Sequence, residues 1–217
     1  ATSNLDSDAL QNGSNAGDVT SGKGKNRLQG LEINDDGTKL FLIFHGYSST
    51  LAPNTRLLEY QLSTPYDLTT ISLVTTAGIE LEGETANPYS IRFSANGKRI
   101  FSVDHEGGSQ DVTQISLTSA YDTSGFTIDG TVSLPSLKST ITQPRGIAFS
   151  ASGLKMYIGN DKTVGGSDTI HEFDLVCPFN IIAGKCPPVT ENSVRTGLAI
   201  AQIEVATRTI EHSTDTA

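Results

Sequence analysis

The 217-residue sequence predicts an all-β protein made of repeated four-stranded units. Its composition, with 21 glycines, one methionine and no tryptophan, is typical of a chain rich in short strands and turns. A hairpin pattern occurs three times, as "LEINDDGTKLFLIFH", "FSANGKRIFSVDH" and "IAFSASGLKMYIGND". A second pattern, an aromatic residue followed by Asp or Asn, recurs with nearly the same period. Together these observations indicate a structural repeat.

The two markers keep similar spacing along the chain. The hairpin glycines are spaced by 60 and 56 residues: Gly37, Gly97 and Gly153. The aromatic turns are spaced by 55 and 58 residues: Tyr66-Asp67, Tyr121-Asp122 and Phe179-Asn180. Two markers with one period are hard to obtain by chance, so we expect three consecutive copies of one unit.

Within each unit the strand signals fall in the same order. The first strand is "LQGLEIN", "YSIRFSA" or "RGIAFSA", with the alternation of a half-buried strand. After a Gly turn the second strand is "KLFLIFH", "RIFSVDH" or "KMYIGND", and the third is "LLEYQLS", "VTQISLT" or "TIHEFDL". A fourth strand is predicted as "TISLVTT" in unit one and "FTIDGTVSL" in unit two. Unit three has no clear equivalent, because Cys186-Pro187-Pro188 stands in its place.

Four antiparallel strands repeated at a fixed period describe a β-propeller-type blade. Residues 26–186 are therefore predicted to form a three-blade region. Propellers close with about four to eight blades, so three blades indicate a partial propeller, completed by a homodimer or by further blades of a longer chain. Residues 1–25, rich in Gly, Ser and Asn, are predicted to be a flexible lead-in or a stray outer strand.

The C-terminal segment, residues 187–217, is predicted to be helical. Thr190 is suited to an N-cap and Glu191 follows it in the first turn. Ala, Gln, Glu and Leu dominate the middle of the segment, and these residues favour helix. A strand formed by "LAIAQIEV" is the alternative.

The hairpins "INDDGTKLF", "FSANGKRIF" and "FSASGLKMY" resemble the "FSPDGKxLY" hairpins of bacterial surface and periplasmic β-propeller repeat proteins, the TolB-like and YVTN-like blades. The resemblance spans residues 26–182, although the Pro before Asp-Gly is missing. It implies a propeller and an extracellular, cell-surface or periplasmic location, and says almost nothing about function. The C-terminal segment is similar to the linker helix of autotransporter-type surface proteins, which implies an excerpt of such a protein.

Charge and hydropathy restrict the partners. The formal net charge of −9 argues against nucleic acid, which is bound mainly through clustered Lys and Arg. No apolar stretch approaches the roughly 20 residues that span a bilayer. Cys177 and Cys186 are close in sequence and joined by a turn-rich connector, which favours a local disulfide in an oxidising compartment. Two buried free thiols are the alternative.

Two sets of residues are candidates for ligand binding. The first set leads into the first strands of units two and three, at the predicted channel mouth: Asn87, Tyr89, Gln143 and Arg145. The second set lies at the ends of the second strands, four residues after an aromatic residue: His45, His105 and Asp161. These positions suit a small polar ligand, a glycan or a protein. The alternatives are an extended approach imposed by proline and hydrogen bonds from strand ends to their own loops.

The sequence predicts no metal site and no catalytic residue. Two imidazoles and a carboxylate are competent metal ligands. Equivalent positions on packed sheets lie about 10 Å apart, however, whereas each donor atom must lie ~2 Å from a zinc ion. Asp35-Asp36 before Gly37 resembles a calcium loop without its D-x-D-x-D-G spacing, so turn chemistry explains it better. Calcium is the one cofactor left open. No catalytic triad order, nucleophile elbow, phosphate loop or H-E-x-x-H motif is present.

The sequence therefore favours an extracellular, non-enzymatic binding or adhesion module built of propeller blades. The alternative is a metal-dependent, lactonase-like hydrolase with its site in the propeller channel. A third interpretation is a structural spacer without a ligand.

Overall fold

The structure is a computed structural model that describes residues 26–46, 55–74, 79–81, 88–105, 110–161, 168–183, 203–204 and 210–211. These residues form three antiparallel sheets, one for each predicted unit. The predicted all-β class is confirmed, and the first three strands of every unit lie where the sequence places them.

Sheet 1 corresponds to the first unit. Its strands are β1 (Asn26–Ile33), β2 (Lys39–Gly46), β3 (Thr55–Leu62), β4 (Ile71–Leu73) and β5 (Ile79–Glu80). β2 lies between β1 and β3, and both β4 and β5 pair with the far edge of β3. β4 pairs at the Leu62 end of β3 and β5 at the Arg56 end. Together they fill one outer strand position with an interruption, and a short 3₁₀ helix, Leu68–Thr70, precedes β4.

Sheet 2 has the same order with an unbroken outer strand. It contains β6 (Pro88–Phe93), β7 (Arg99–Asp104), β8 (Asp111–Ser119) and β9 (Asp122–Ser133), paired in sequence order. A one-turn helix, α1 (Leu134–Leu137), follows β9. Within the described part of the chain, no helix combines the length and hydropathy that a membrane span requires.

Sheet 3 repeats the pattern with a divided outer strand. Its strands are β10 (Pro144–Phe149), β11 (Lys155–Asn160), β12 (Thr169–Leu175), β13 (Ile203–Glu204) and β14 (Ile210–Glu211). β13 pairs with Asp174 and Leu175, and β14 pairs with Thr169 and Ile170, so both lie on the outer edge of β12.

The helix predicted for residues 187–217 is therefore wrong at residues 203–204 and 210–211. The fourth strand that unit three lacked in the sequence is also present, supplied from well downstream. The physical reason is the edge of β12, whose backbone N–H and C=O groups pair with these residues more strongly than helix propensity holds them. The rest of residues 187–217, and the predicted lead-in 1–25, lie outside the described residues.

The sheets pack in series through two apolar clusters. β6 of sheet 2 lies between β1 of sheet 1 and β10 of sheet 3. The cluster between sheets 1 and 2 includes Phe41, Leu57, Phe93, Ile100 and Ile115. The cluster between sheets 2 and 3 includes Phe101, Val112, Ile147, Met156 and Phe173. No sheet among the described strands closes on itself.

A third apolar cluster lies on the other face of sheet 1. Its buried members come from β2 and β3 alone: Leu40, Leu42, Phe44, Leu58, Tyr60 and Leu62. Because strand residues alternate between faces, these side chains point away from the cluster shared with sheet 2. Two of them, Leu40 and Tyr60, are the counterparts of Ile100 and Ile115, which face sheet 1 from sheet 2.

Candidate functional site

The two recurrent sequence motifs meet in one contact. The aromatic residue of each turn has a positive φ: Tyr66 61°, Tyr121 54° and Phe179 50°. Its N–H donates to the carbonyl of the hairpin glycine of the same unit, at 2.9 Å, 2.8 Å and 2.8 Å in units one to three. Its ring lies so close over the glycine that a Cβ there would overlap it. The glycine and the aromatic residue are thus required together, which explains their common period.

Two of the candidate ligand residues lie at β-bulges. Strand β6 has a register irregularity at Tyr89 and strand β10 has one at Arg145. Strand β1 has the same irregularity at Gln29. A bulge redirects one side chain out of the alternating pattern, and bulges are common beside functional sites. The bulges of sheets 2 and 3 bring Tyr89 and Arg145 together.

Four of the predicted residues form one group, which we call the Tyr89–Arg145 cluster: Tyr89, His105, Arg145 and Asp161. The guanidinium carbon of Arg145 lies 4.3 Å from the centroid of the Tyr89 ring. The Tyr89 and His105 ring centroids are 5.2 Å apart. Nε of Arg145 donates to the Asp161 carboxylate at 3.3 Å. The cluster therefore joins sheets 2 and 3 at the starts of β6 and β10 and the ends of β7 and β11.

The charged groups of the cluster remain accessible. The side chain of Arg145 is 36% exposed and that of Asp161 is 47% exposed. At the same end of sheet 2, burial and then the negative charge of Asp104 raise the pKa of Asp111. The cluster thus offers guanidinium donors, a carboxylate acceptor and an aromatic surface to a polar ligand.

The other predicted site residues are placed differently. Gln143 contributes its backbone carbonyl, which accepts a hydrogen bond of 2.9 Å from the Asp161 N–H. Asn87 and the side chain of His45 lie outside the described residues. Within the described ranges, no three His, Cys, Asp or Glu side chains come together to hold a metal ion. His105 and Asp161 instead take part in the Tyr89–Arg145 cluster.

The acidic hairpin of unit one is organised as a turn. One oxygen of the Asp36 carboxylate accepts hydrogen bonds from the N–H and the hydroxyl of Thr38. These bonds lower the pKa of Asp36. The equivalent residues Asn96 and Ser152 bind the N–H two positions ahead in the same way. The carboxylate is therefore used as Asn and Ser are in the other units.

Of the two cysteines in the predicted disulfide, the structure describes Cys177 but not Cys186. Cys177 lies at the start of the aromatic turn of unit three, in an isolated bridge with Asn180. Cys186 lies outside the described residues. The bond between Cys177 and Cys186 stays a prediction.

A further set of polar residues, missed in the sequence, connects neighbouring units. Lys39 and Arg99 each lie two residues after a hairpin glycine. Nζ of Lys39 donates to the Tyr121 carbonyl in the turn of unit two, at 2.6 Å. Nη1 of Arg99 donates to the Phe179 carbonyl in the turn of unit three, at 2.8 Å.

An acceptor on the third strand completes each contact. Glu59 of β3 accepts from the Thr123 N–H at 2.8 Å, and Gln114 of β8 accepts from the Ile181 N–H at 2.9 Å. Glu59 also binds Lys39 at 2.6 Å. We call Lys39/Glu59 and Arg99/Gln114 docking pairs, because each holds the aromatic turn of the next unit. The sequence feature that could have indicated the docking pairs is the basic residue two positions after every hairpin glycine.

Comparison with known proteins yields structural likeness only. No protein-family profile matches the chain, and no curated protein matches it. One solved structure, a eukaryotic initiation factor, is 11% identical with a TM-score of 0.42, covering 72% of this chain and 31% of its own. A protein of unknown function from Desulfotomaculum acetoxidans DSM 771 is 13% identical with a TM-score of 0.31, covering 68% of this chain and 51% of its own. This chain therefore spans about a third and about half of their lengths.

Proposed function

We propose that this chain is an extracellular, non-enzymatic binding module of propeller type, whose ligand contacts the Tyr89–Arg145 cluster. The observation that carries the proposal is the stacking of Arg145 on Tyr89 across two neighbouring sheets, 4.3 Å from guanidinium carbon to ring centroid. In the propeller arrangement the three sheets are successive blades and the cluster lies at the channel mouth. The serial packing of three like sheets supports this arrangement.

The chemistry of the cluster favours a glycan over an apolar ligand. The Arg145 guanidinium presents N–H donors in a planar fork, which fits a pair of neighbouring oxygen atoms. The Asp161 carboxylate accepts hydroxyl hydrogens, and its bond to Arg145 is long enough, at 3.3 Å, to be exchanged for a ligand. Aromatic rings at the edge supply apolar surface for the C–H face of a sugar.

The hydrolase alternative has less support. A metal-dependent lactonase needs several carboxylate or imidazole ligands around one ion, and the described residues contain no such group. His105 and Asp161 are engaged with Tyr89 and Arg145 instead. An extracellular or periplasmic location is part of the proposal, and mass analysis without reductant would test the Cys177–Cys186 bond that it favours.

A glycan array followed by titration calorimetry tests the proposed function. We expect one glycan class to bind, and Tyr89→Ala or Arg145→Ala to weaken binding about tenfold or more, as loss of a stacked, charge-assisted contact should. Arg145→Lys should weaken it less, because the charge remains without the fork.

Phe126→Ala is the matched control, because Phe126 is an exposed aromatic residue of β9 that pairs with Leu117, at the opposite end of sheet 2 from His105. It should bind as the unchanged protein does. If the Tyr89→Ala and Arg145→Ala variants bind the glycan as tightly as the unchanged protein does, the proposed site is contradicted. If the only ligand found is a protein segment, the glycan assignment is contradicted.

A further inference from the structure

Among the described residues, one further Lys/Glu pair and one aromatic turn, at opposite ends of the series, have no counterpart bound to them. Lys155 and Glu172 of sheet 3 occupy the positions of Lys39 and Glu59, two residues after the hairpin glycine and opposite the second-strand aromatic. No described unit follows them. Nζ of Lys155 binds Glu172 at 2.6 Å and Asp174 at 2.7 Å within its own sheet. This third pair therefore has the composition of a docking pair without a turn from a following unit.

The aromatic turn of unit one is more exposed than the turns that the docking pairs hold. In units two and three, the docked residues Thr123 and Ile181 are only 3% and 2% exposed. In unit one, Tyr66 is 62% exposed and Leu68 is 37% exposed. Among the described residues, neither the Tyr66 carbonyl nor the Leu68 N–H has a hydrogen-bond partner. These two atoms correspond to those that the docking pairs bind in the other units.

The Lys155/Glu172 pair and the Tyr66-Asp67 turn have matching chemistry. The Lys39/Glu59 pair holds a Tyr-Asp turn, whereas the Arg99/Gln114 pair holds a Phe-Asn turn, in which Gln114 also donates to the Asn180 side chain at 3.1 Å. The remaining pair, Lys155/Glu172, is of the Lys/Glu type. The remaining turn, Tyr66-Asp67, is of the Tyr-Asp type.

We propose that two copies of this chain associate head to tail, with Lys155 and Glu172 of one copy binding the Tyr66 carbonyl and the Leu68 N–H of the partner subunit. The contact continues an interface that the chain already makes twice internally. Used reciprocally, it joins three sheets from each copy into a closed series of six, within the range of about four to eight blades that propellers use.

The apolar face of sheet 1 is of the type that receives a preceding sheet. In sheet 2 the equivalents of Leu40 and Tyr60, which are Ile100 and Ile115, lie against sheet 1. The six side chains of this face in sheet 1 are already buried in the single chain. Docking must therefore exchange their present cover for sheet 3 of the partner subunit, and a required rearrangement slows association.

Sedimentation equilibrium of the full chain after long incubation tests the proposal. We expect a concentration-dependent mass of twice the 23.0 kDa chain. Lys155→Glu should abolish the dimer, because it places a third carboxylate beside Glu172 and Asp174. Lys98→Glu, the same charge change at an exposed hairpin position, should leave it intact.

A second pair of variants isolates one hydrogen bond. Leu68 is the first residue of a 3₁₀ helix, and Asp67 before it is extended, with φ −102° and ψ 99°. Leu68→Pro therefore fits the monomer fold while removing the N–H. It should weaken the dimer about tenfold or more, whereas Leu68→Ala keeps the N–H and should weaken it less. Unchanged thermal unfolding of the monomers shows that the variants fold.

A mass of one chain at every concentration would overturn the proposal. A dimer of equal strength in Lys155→Glu and Leu68→Pro would also overturn it, because the association would then use another surface. Glycan binding by a strictly monomeric protein would overturn the dimer and leave the proposed function standing.

Discussion

The hairpin glycines and the turn aromatics depend on each other at the scale of single residues. Gly37, Gly97 and Gly153 have φ values of 72°, 66° and 69°, which side chains with a Cβ rarely adopt. Tyr66, Tyr121 and Phe179 also adopt positive φ, at a cost that the glycine contact offsets. Their N–H groups close the contact on the glycine carbonyls. One residue type cannot be replaced without disturbing the other.

Gly97→Ala should therefore lower the free energy of unfolding by about 1–3 kcal/mol, from backbone strain and displacement of the Tyr121 ring. Urea denaturation measures the loss. The control is Gly146→Ala, where an added Cβ has no atom within 4 Å and φ lies outside the left-handed region. Equal losses in the two variants would contradict the role given to the glycine–aromatic contact.

At the scale of elements, the third strands of sheets 1 and 2 each present one polar side chain to the next sheet. Glu59 is 2% exposed and accepts bonds from Lys39 and from the N–H and hydroxyl of Thr123. Gln114 has the same position in sheet 2. These bonds fix the position of the next unit's aromatic turn, and the apolar clusters provide the bulk of the contact.

Glu59→Ala should destabilise the protein by about 2–4 kcal/mol, because it leaves the buried Thr123 N–H without its acceptor and the Lys39 ammonium without its carboxylate partner. Glu59→Gln should cost less, since an amide oxygen serves the same purpose in Gln114. Denaturant midpoints of the two variants give the comparison. An alanine variant as stable as the unchanged protein would argue against the docking pair as a stabilising contact.

The sequence was informative about strands wherever alternation and turn chemistry agreed. It predicted β6 and β7, and it placed Tyr89 and Arg145 in one candidate set and His105 and Asp161 in another, but it did not predict that the two sets meet in one cluster. It favoured helix where β13 and β14 lie and kept a strand at "LAIAQIEV", which contains β13, as the alternative, since two-residue strands leave no periodicity and the surrounding Ala, Gln and Glu favour helix. It also missed the docking pairs, because a lysine after a hairpin does not show in sequence which unit it reaches.

At the scale of the whole molecule, stability depends on contacts between neighbouring sheets. Sheets 1 and 2 are joined by the cluster around Phe93 and by a two-oxygen contact of Arg92 with Glu32, at 2.9 Å and 3.0 Å. Sheets 2 and 3 are joined by the cluster around Phe101 and by the Tyr89–Arg145 cluster. In such a series each sheet is stabilised by its neighbours alone.

Amide hydrogen exchange of Thr123, Ile181 and Leu68, followed by NMR in dilute protein, tests most directly that each unit holds the turn of the next. We expect the Thr123 and Ile181 amides to be strongly protected, because Glu59 and Gln114 accept their hydrogens, and the Leu68 amide to exchange quickly. Exchange of Thr123 and Ile181 as rapid as that of Leu68 would contradict the account.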